Sequence, residues 1–380
     1  MDNIVTALVE NYFADLEDPR ADNSWHNLFD ILVITILAVI CGADSWVDVE
    51  IYGKAKEPWL RGFLELPHGI PTHHTFNRLF RHLDPDQFQE SFFKWIQAIQ
   101  EVTAGQVIAV DGKTLRRSHD RTLGKKALQM VSAWATSNHL MLGQAKVDEK
   151  SNEITAIPEL LRILDLEGAI VTIDAIGCQR EFAEQIMDRK GDYVLALKEN
   201  QGHLYEDVFG FFAHAEEKEF RRIRSDYHKT VNKDHGRIEI RRCWVISDPE
   251  YIETIRNKEA WPGLRTIAKV ESERRIGQKT SVMVRYYITS LGCNAEQVLG
   301  SVRSHWRIEN SFHWILDMAF REDESRVRKG YGAQNLALLR RLALTLLKRE
   351  KTVKAGIKAK RFNAACDNSY LIKVLQGAEA

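Results

Sequence analysis

Three carboxylates stand at places in the chain where a carboxylate is expensive. Asp111 ends the run Val107, Ile108, Ala109, Val110 and is followed at once by Gly112. Such a run of β-branched and small apolar residues reads as a strand buried on both faces, and an ionised acid at its end needs a cation or hydrogen-bond donors. Asp174 lies near the end of a second run of this kind, AIVTIDAIG, residues 169–177. Glu309 falls in NAEQVLGSVRSHWRIENSFHWILDMAF, residues 294–320, whose broad apolar side is marked by Val298, Val302, Ile308, Phe312, Ile315 and Leu316. Trp306 and His313 flank that acid at helical spacings of three and four, and a carboxylate among bulky apolar neighbours is rare as surface decoration. Taken singly, Asp111 also suits a turn opener and Asp174 a helix cap. Taken together, three acids from two strands and a helix can hold two divalent ions about 3.5–4 Å apart, the geometry for in-line attack on a phosphodiester. Oxygen ligands without cysteine favour Mg²⁺, with Mn²⁺ as a substitute.

The elements that must position these acids follow from periodicity. The first hundred residues read as helices. Ile4, Leu8 and Tyr12, then Leu28, Leu32, Ile36 and Val39, give two apolar faces, and Ser45 caps a third helix that ends near Pro58. A further helix over 69–85 turns Phe76, Leu79, Phe80 and Leu83 inward and His73, His74, Asn77, Arg78 and Arg81 outward, as a DNA-reading helix or an ordinary surface helix would. From Val107 the pattern changes to three antiparallel strands, with a turn at Asn138 and His139, then helix, strand, helix and strand. That order is ribonuclease-H-like and sets the first and fourth strands side by side, so that Asp111 and Asp174 face each other.

The fold class expected is therefore α/β, a ribonuclease-H-like catalytic core with a β-rich insertion and an α-helical N-terminal domain. The boundaries are 1–104 for the helical domain, 105–214 and 293–350 for the two parts of the core, 215–292 for the insertion, and 351–380 for a basic C-terminal tail.

Charge narrows the partner. Lys+Arg and Asp+Glu both number 53, so the total argues for nothing, but the local balance is +4 over 111–130, +5 over 218–242 and +9 over 302–361. Basic stripes on a neutral chain suit a polyanion, and a solvated helix face explains any one of them as well. Lys113, Arg116 and Arg117 follow Asp111 directly, and Arg237 sits in the insertion among His228, Lys229, Lys233, His235, Arg241 and Arg242, with Trp244 and Trp261 as flat surfaces. Five scattered cysteines without zinc spacing, an acidic N-terminus and an apolar run over 28–41 too short to span a bilayer point to a cytoplasmic protein with no membrane partner. No serine–histidine or tyrosine nucleophile arrangement stands out, which disfavours a covalent protein–DNA intermediate.

At these residues the chain resembles the DDE transposases of bacterial insertion sequences, specifically the ISAs-type group that includes the H-repeat-associated proteins. The resemblance rests on VDGKTLRRS at 110–118, DAIGCQREFAEQI at 174–186, DYVLALKENQ at 192–201 and RSHWRIENSFHWILDMAFREDESRVR at 303–328. LEDPR at 16–20, LAVICGADSW at 37–46 and THHTFNRLFRHLDP at 72–85 carry it into the N-terminal part. It implies metal-dependent cleavage at element ends and joining of the freed 3′ hydroxyl to target DNA, with Asp111, Asp174 and Glu309 as catalytic and metal-holding acids. It also implies DNA contacts from Lys198 and Asn200, a grip on terminal inverted repeats by the insertion, and a homodimer on DNA. The wider superfamily has tyrosine, arginine and lysine around its glutamate, where this chain has Val302, His305 and Leu316. Positive charge near the phosphate then falls to Arg303, His305 or Arg307. A nuclease without strand transfer, or an immobile DNA-binding relative, would share many of these features.

Overall fold

A computed structural model of the chain describes residues 10–21, 24–99, 105–119, 126–136, 140–147, 153–234 and 236–376. Ile4, Leu8, Arg121, Lys125, the expected turn at Asn138 and His139, and His235 lie outside them.

Nine strands form one mixed sheet. β1 (Val107–Leu115), β2 (Leu128–Ala135) and β3 (Leu140–Val147) are antiparallel, and β4 (Ile170–Ile173) and β5 (Asp192–Leu197) continue parallel from β1. The spatial order is β3-β2-β1-β4-β5, and it then runs on through β9 (Lys279–Thr289), β8 (Thr266–Ile276), β7 (Arg237–Ile246) and β6 (Ser225–Asp234). The four strands of the insertion are thus not a separate sheet. Antiparallel pairing of Val194 to Leu197 with Thr289 to Tyr286 joins them to the core strands through a continuous hydrogen-bond ladder.

One face of the sheet is covered by α5 (Glu153–Ile163), α6 (Arg180–Asp188) and α7 (Gly202–Glu217), which bury Leu160, Phe182 and Phe212 against Val110, Val131 and Val171. Over the other face lies α9 (Ala295–Ile308), following a short helix α8 (Pro249–Ile252). Val298, Leu299 and Val302 of α9 pack on Ile170, Val194, Val245 and Val270. One helix therefore bridges core and insertion strands. Its start is fixed by the Asn294 side chain, which accepts from the Gln297 N–H at 2.9 Å.

The N-terminal helices are α1 (Leu28–Cys41), α2 (Trp46–Leu60), α3 (His73–His82) and α4 (Pro85–Ile99). α1 is apolar nearly all round, which demands burial on every side. It gets that burial from the other end of the chain: α1 to α4 share one core with α10 (Trp314–Phe320), α11 (Gly332–Arg349), α12 (Ile357–Cys366) and α13 (Asn368–Gln376). This corrects two boundaries. The N-terminal helices have no core separate from 293–350, and 351–376 is no trailing tail but two packed helices. Among the described residues no single helix is long and apolar enough to cross a membrane. α1 and α2 pass only as a pair bent by 99°, and α1 is buried in this core.

Candidate active site

Register brings the first two acids together. Val110 pairs with Ile173 at the end of the parallel β1–β4 ladder, so Asp111, which continues β1, and Asp174, which follows the last residue of β4, come next at the same level of neighbouring strands. Asp174 leaves the strand in a tight turn in which its Oδ1 accepts the Ile176 N–H at 3.1 Å and lies 3.4 Å from the Gly177 nitrogen. Asn200 braces that turn by donating from Nδ2 to the Ala175 carbonyl at 2.8 Å.

Glu309 arrives from above on a helix that changes character at that residue. The expected continuous helix over 294–320 is broken by a π turn at Glu309–His313, between α9 and α10. Single π turns of this kind gather at functional sites because they rotate side chains out of the regular helical register. The apolar side is buried as expected at Val298, Val302, Ile308, Phe312 and Leu316, but Glu309 itself is exposed. It does not sit within that side.

The electrostatics record how close the acids are. Burial pushes the Asp111 carboxyl up to about 7, and the negative charges of Asp174, Glu153 and Glu309 add to that push against a single opposing hydrogen bond from the Gly112 backbone. Glu153, the first residue of α5, was invisible in the sequence reading. Its carboxyl is raised too, by burial and then by Asp174. The one signal that could have found it is an acid opening the helix after the third strand. Among the described residues no Lys or Arg pairs with any of these four acids. The ion-pair partner nearest Asp111 is His313, Nδ1 to Oδ2 3.4 Å, and burial, helped by the charges of Lys113 and Arg341, drives that imidazole down to about 3, so it is neutral. His305 Nδ1 lies 3.1 Å from Thr172 Oγ1, and burial lowers it to about 4. Among the described residues no group of three or more His, Cys, Asp or Glu side chains is placed so as to hold a metal ion. In chemistry alone the acids suit a hard divalent cation, being oxygen donors without a Lys or Arg partner among the described residues.

The cations expected to meet DNA divide sharply. Lys113 is buried, paired with Asp317 and with Glu322 at 3.4 Å, and bonded to the His313 carbonyl at 3.3 Å. This corrects its reading as a DNA contact: it locks β1 to the π turn and α10. His305, half-buried and neutral, is no cation either. Asn200 spends its side-chain amide on the Ala175 carbonyl. Arg116 is exposed and meets Asp323 at 3.1 Å, and Arg237 meets Glu239 at 3.4 Å. Arg117 and Lys198 are exposed. Arg340, Arg341, Lys360 and Arg361, counted in the basic stripe over 302–361, are buried inside. Trp261 is buried in the core and offers no flat surface, while Trp244 is half-buried against Tyr227.

A basic groove of about 420 Å³ runs between α9 and the insertion strands, lined by Arg241, Arg274, Arg285, Arg303 and Arg307 against Glu239 and Glu273 and by none of the four acids. Burial and the neighbouring charges of Arg241 and Arg307 lower the Arg303 guanidinium, as expected where like charges crowd. A cavity of about 300 Å³ adjoins it, reaching from Trp306 and Tyr286 to Asp174 and Lys198.

The chain is similar to known proteins over nearly its whole length. Residues 103–346 match the transposase DDE domain family, and residues 10–96 match the DDE_Tnp_1-associated family. The transposase-named protein YncI of Escherichia coli is 40% identical over 358 residues, covering 92% of this chain and 89% of its own. The H repeat-associated transposase-named protein YhhI of Escherichia coli is 39% identical over 360 residues, 93% of each chain. A looser likeness, TM-score 0.41 at 12% identity over 98% of this chain and 79% of the other, is to a piggyBac transposase in a synaptic complex with hairpin DNA; at that score it decides nothing. With an associated domain and a DDE domain matched in turn, and relatives aligned nearly end to end, the chain belongs to the DDE-domain transposase family, among the H repeat-associated transposases.

Proposed function

We propose that the protein cleaves DNA at the ends of an insertion sequence and joins the freed strand to target DNA, using Asp111, Asp174 and Glu309 on a ribonuclease-H-like core to hold Mg²⁺, or Mn²⁺ in its place. The observation that carries this reading is the placement of Asp111 in β1 level with Asp174 just past the end of the neighbouring parallel strand β4, with Glu309 close enough to raise the Asp111 carboxyl and, among the described residues, no Lys or Arg paired with these acids. Carboxylates crowded in this way are unstable alone and become a favourable site once divalent charge is present. Bound there, the ions supply activation of the attacking water or 3′ hydroxyl and stabilisation of the leaving oxygen.

The chain's own part is positioning. The β1–β4 ladder sets the spacing of two acids, the Asn200 brace fixes the Asp174 turn, and the Lys113 lock holds the Glu309 segment against β1. Arg303 and Arg307, with Arg241 across the groove, line a track for the phosphates of a terminal inverted repeat. Lys198, Arg116, Arg117 and Arg237 are exposed or half-exposed cations that extend it. Two element ends must be joined in concert, so the active form is a homodimer on DNA, acting in the cytoplasm.

Asp111→Asn tests the assignment. Mg²⁺-dependent nicking of a labelled terminal repeat disappears while gel-shift binding of the same DNA persists. Nicking at the wild-type rate refutes the role given to Asp111. Joined products in a strand-transfer assay separate this enzyme from a simple nuclease.

A further inference from the structure

We propose that a basic cleft between the N-terminal helices and residues 321–329 holds the DNA that flanks the element, on the far side of the cut from the terminal repeat. This rests on the transposase reading above and adds to it a second arm of the duplex and the surface that takes it.

The first ground is position. The groove already described lies between α9 and the insertion strands, toward one end of the sheet. The cleft, about 710 Å³, lies between α2, α3 and residues 321–329, and it shares no lining residue with the groove. Its helices belong to the core that takes in Trp134, Ala135, Leu140 and Met141 of β2 and β3, at the other end of the sheet. β1 and β4, which bring Asp111 and Asp174 level, lie between the two ends. A duplex cut at those acids has two arms, and the groove accounts for one. The cleft is also tied to the strand that carries Asp111. Arg328 donates from Nε to the Arg117 carbonyl at 3.0 Å, and Arg116, just past β1, meets Asp323 at 3.1 Å.

The second ground is charge. The acids of the cleft are engaged within the chain: Asp44 pairs with Arg361 at 3.1 Å, Glu324 pairs with Arg321, and Asp48 accepts the Ser45 N–H at 2.9 Å in the cap of α2. Arg326 and Lys329, which line the cleft, are exposed, and among the described residues no acid pairs with either. Arg78, exposed on α3 next to the cleft-lining Asn77, is in the same condition. Cations gathered at one opening and unanswered by the chain suit the phosphates of a duplex, whatever its sequence.

The third ground is the fixed spacing of the two walls. Gly330, at φ +54°, lets the chain come so near α3 that a Cβ there would lie 2.3 Å from the Arg81 carbonyl oxygen. The Tyr331 N–H donates to that carbonyl at 3.0 Å, and Asn335 donates from Nδ2 to the Phe80 and Leu83 carbonyls at 2.8 and 2.9 Å. The carbonyls that end α3 are thus capped by the chain that follows the loop. A cleft with its walls already clasped loses little entropy when a ligand enters.

The test uses the full-length protein in EDTA, so that no strand is cut, and fluorescence anisotropy on two duplexes. One is the terminal repeat ending flush at the cut; the other carries in addition a scrambled flank of about 15 base pairs, roughly one and a half helical turns. Wild type binds the flanked duplex tighter by about fivefold or more, with a salt slope steeper by about 2. In the double variant Arg326→Ala with Lys329→Ala the gain from the flank falls below about twofold and the two salt slopes converge, while affinity for the flush duplex stays at the wild-type value. Arg78→Ala lowers the gain in part. Arg303→Ala weakens both duplexes by the same factor and keeps the gain, and Arg162→Ala, exposed on α5, alters neither. Thermal melts at the wild-type temperature show that the variants are folded. A wild type that gains nothing from the flank, or a double variant that keeps the full gain or loses the same factor on both duplexes, overturns the proposal and leaves the transposase reading standing. A wild type that cuts no terminal repeat when Mg²⁺ is supplied overturns that reading, and this proposal with it.

Discussion

Lys113, two residues after Asp111, is a cation whose job is internal. Its ammonium joins Asp317 and Glu322, and Glu322 is shared with Arg341 at 2.7 Å with both side chains fully buried. Burial alone would raise the Glu322 carboxyl, yet the charges of Arg341 and Lys113 outweigh it and hold the group down to about 2. A depressed carboxyl stabilises the fold above its unfolded value, ordinarily about 4.3, and that contribution is lost as the pH falls toward 2. Removing the charge with Glu322→Gln strands two buried cations and costs about 3–5 kcal/mol, measured by urea unfolding at pH 7. The same variant loses less stability than wild type between pH 5 and pH 2, because the group that titrates there is gone. Residue types alone put Lys113 beside a polyanion, because a basic residue following an acid on a strand carries no mark of which way its ammonium is tied. Asp111 and Asp174 were legible for the opposite reason: an apolar run that ends on a carboxylate announces both the strand and the exception.

At the scale of elements, the helix carrying Glu309 was legible in its buried side but not in its break. Periodicity assumes a constant 3.6 residues per turn, and the π turn at Glu309–His313 violates that assumption at the residue where orientation matters most. Glu153 escaped for a related reason, since its nearness to Asp111 depends on a glycine two elements away making room. The strands of the insertion were legible from alternation; that they extend the core sheet was not, because pairing partners leave no trace in a single strand's pattern. The groove this creates between α9 and the insertion carries a prediction. Arg303→Ala and Arg307→Ala each weaken binding of terminal-repeat and unrelated DNA alike and reduce the salt slope of log K by about 1, read from binding isotherms between 50 and 200 mM salt.

At the scale of the whole molecule, segmenting the chain along its length misplaced the C-terminal residues. The basic stretch after Arg340 was read as a solvated helix end and a tail, whereas Arg361 donates to the Val39 carbonyl at 3.0 Å and stacks over Phe320, and Lys360 donates to the Leu347 carbonyl at 3.0 Å. Counting charge cannot see burial, and a lysine or arginine with a long apolar stem tolerates it when carbonyls receive its donors. Leu371, Val374 and Leu375 of α13 are fully buried, each worth roughly 1.5–3 kcal/mol, together comparable with much of a domain's net stability of about 5–15 kcal/mol. Truncation after Glu350 therefore yields a chain that fails to melt cooperatively in calorimetry and collects in the insoluble fraction. A version that melts like wild type and only binds DNA less tightly would restore the tail reading.

The closure of α1 by α12 also sets a clock on biosynthesis. The Arg361 contact to Val39 spans 322 residues of chain, and at the usual pace of about 5–20 residues per second a ribosome needs roughly 15–65 s to make them. Through that interval the apolar first helices wait on the nascent chain without the surface that completes their core. The core around α1 closes only as α12 and α13 emerge, and a message cut short before them yields a product with its most hydrophobic segment uncovered.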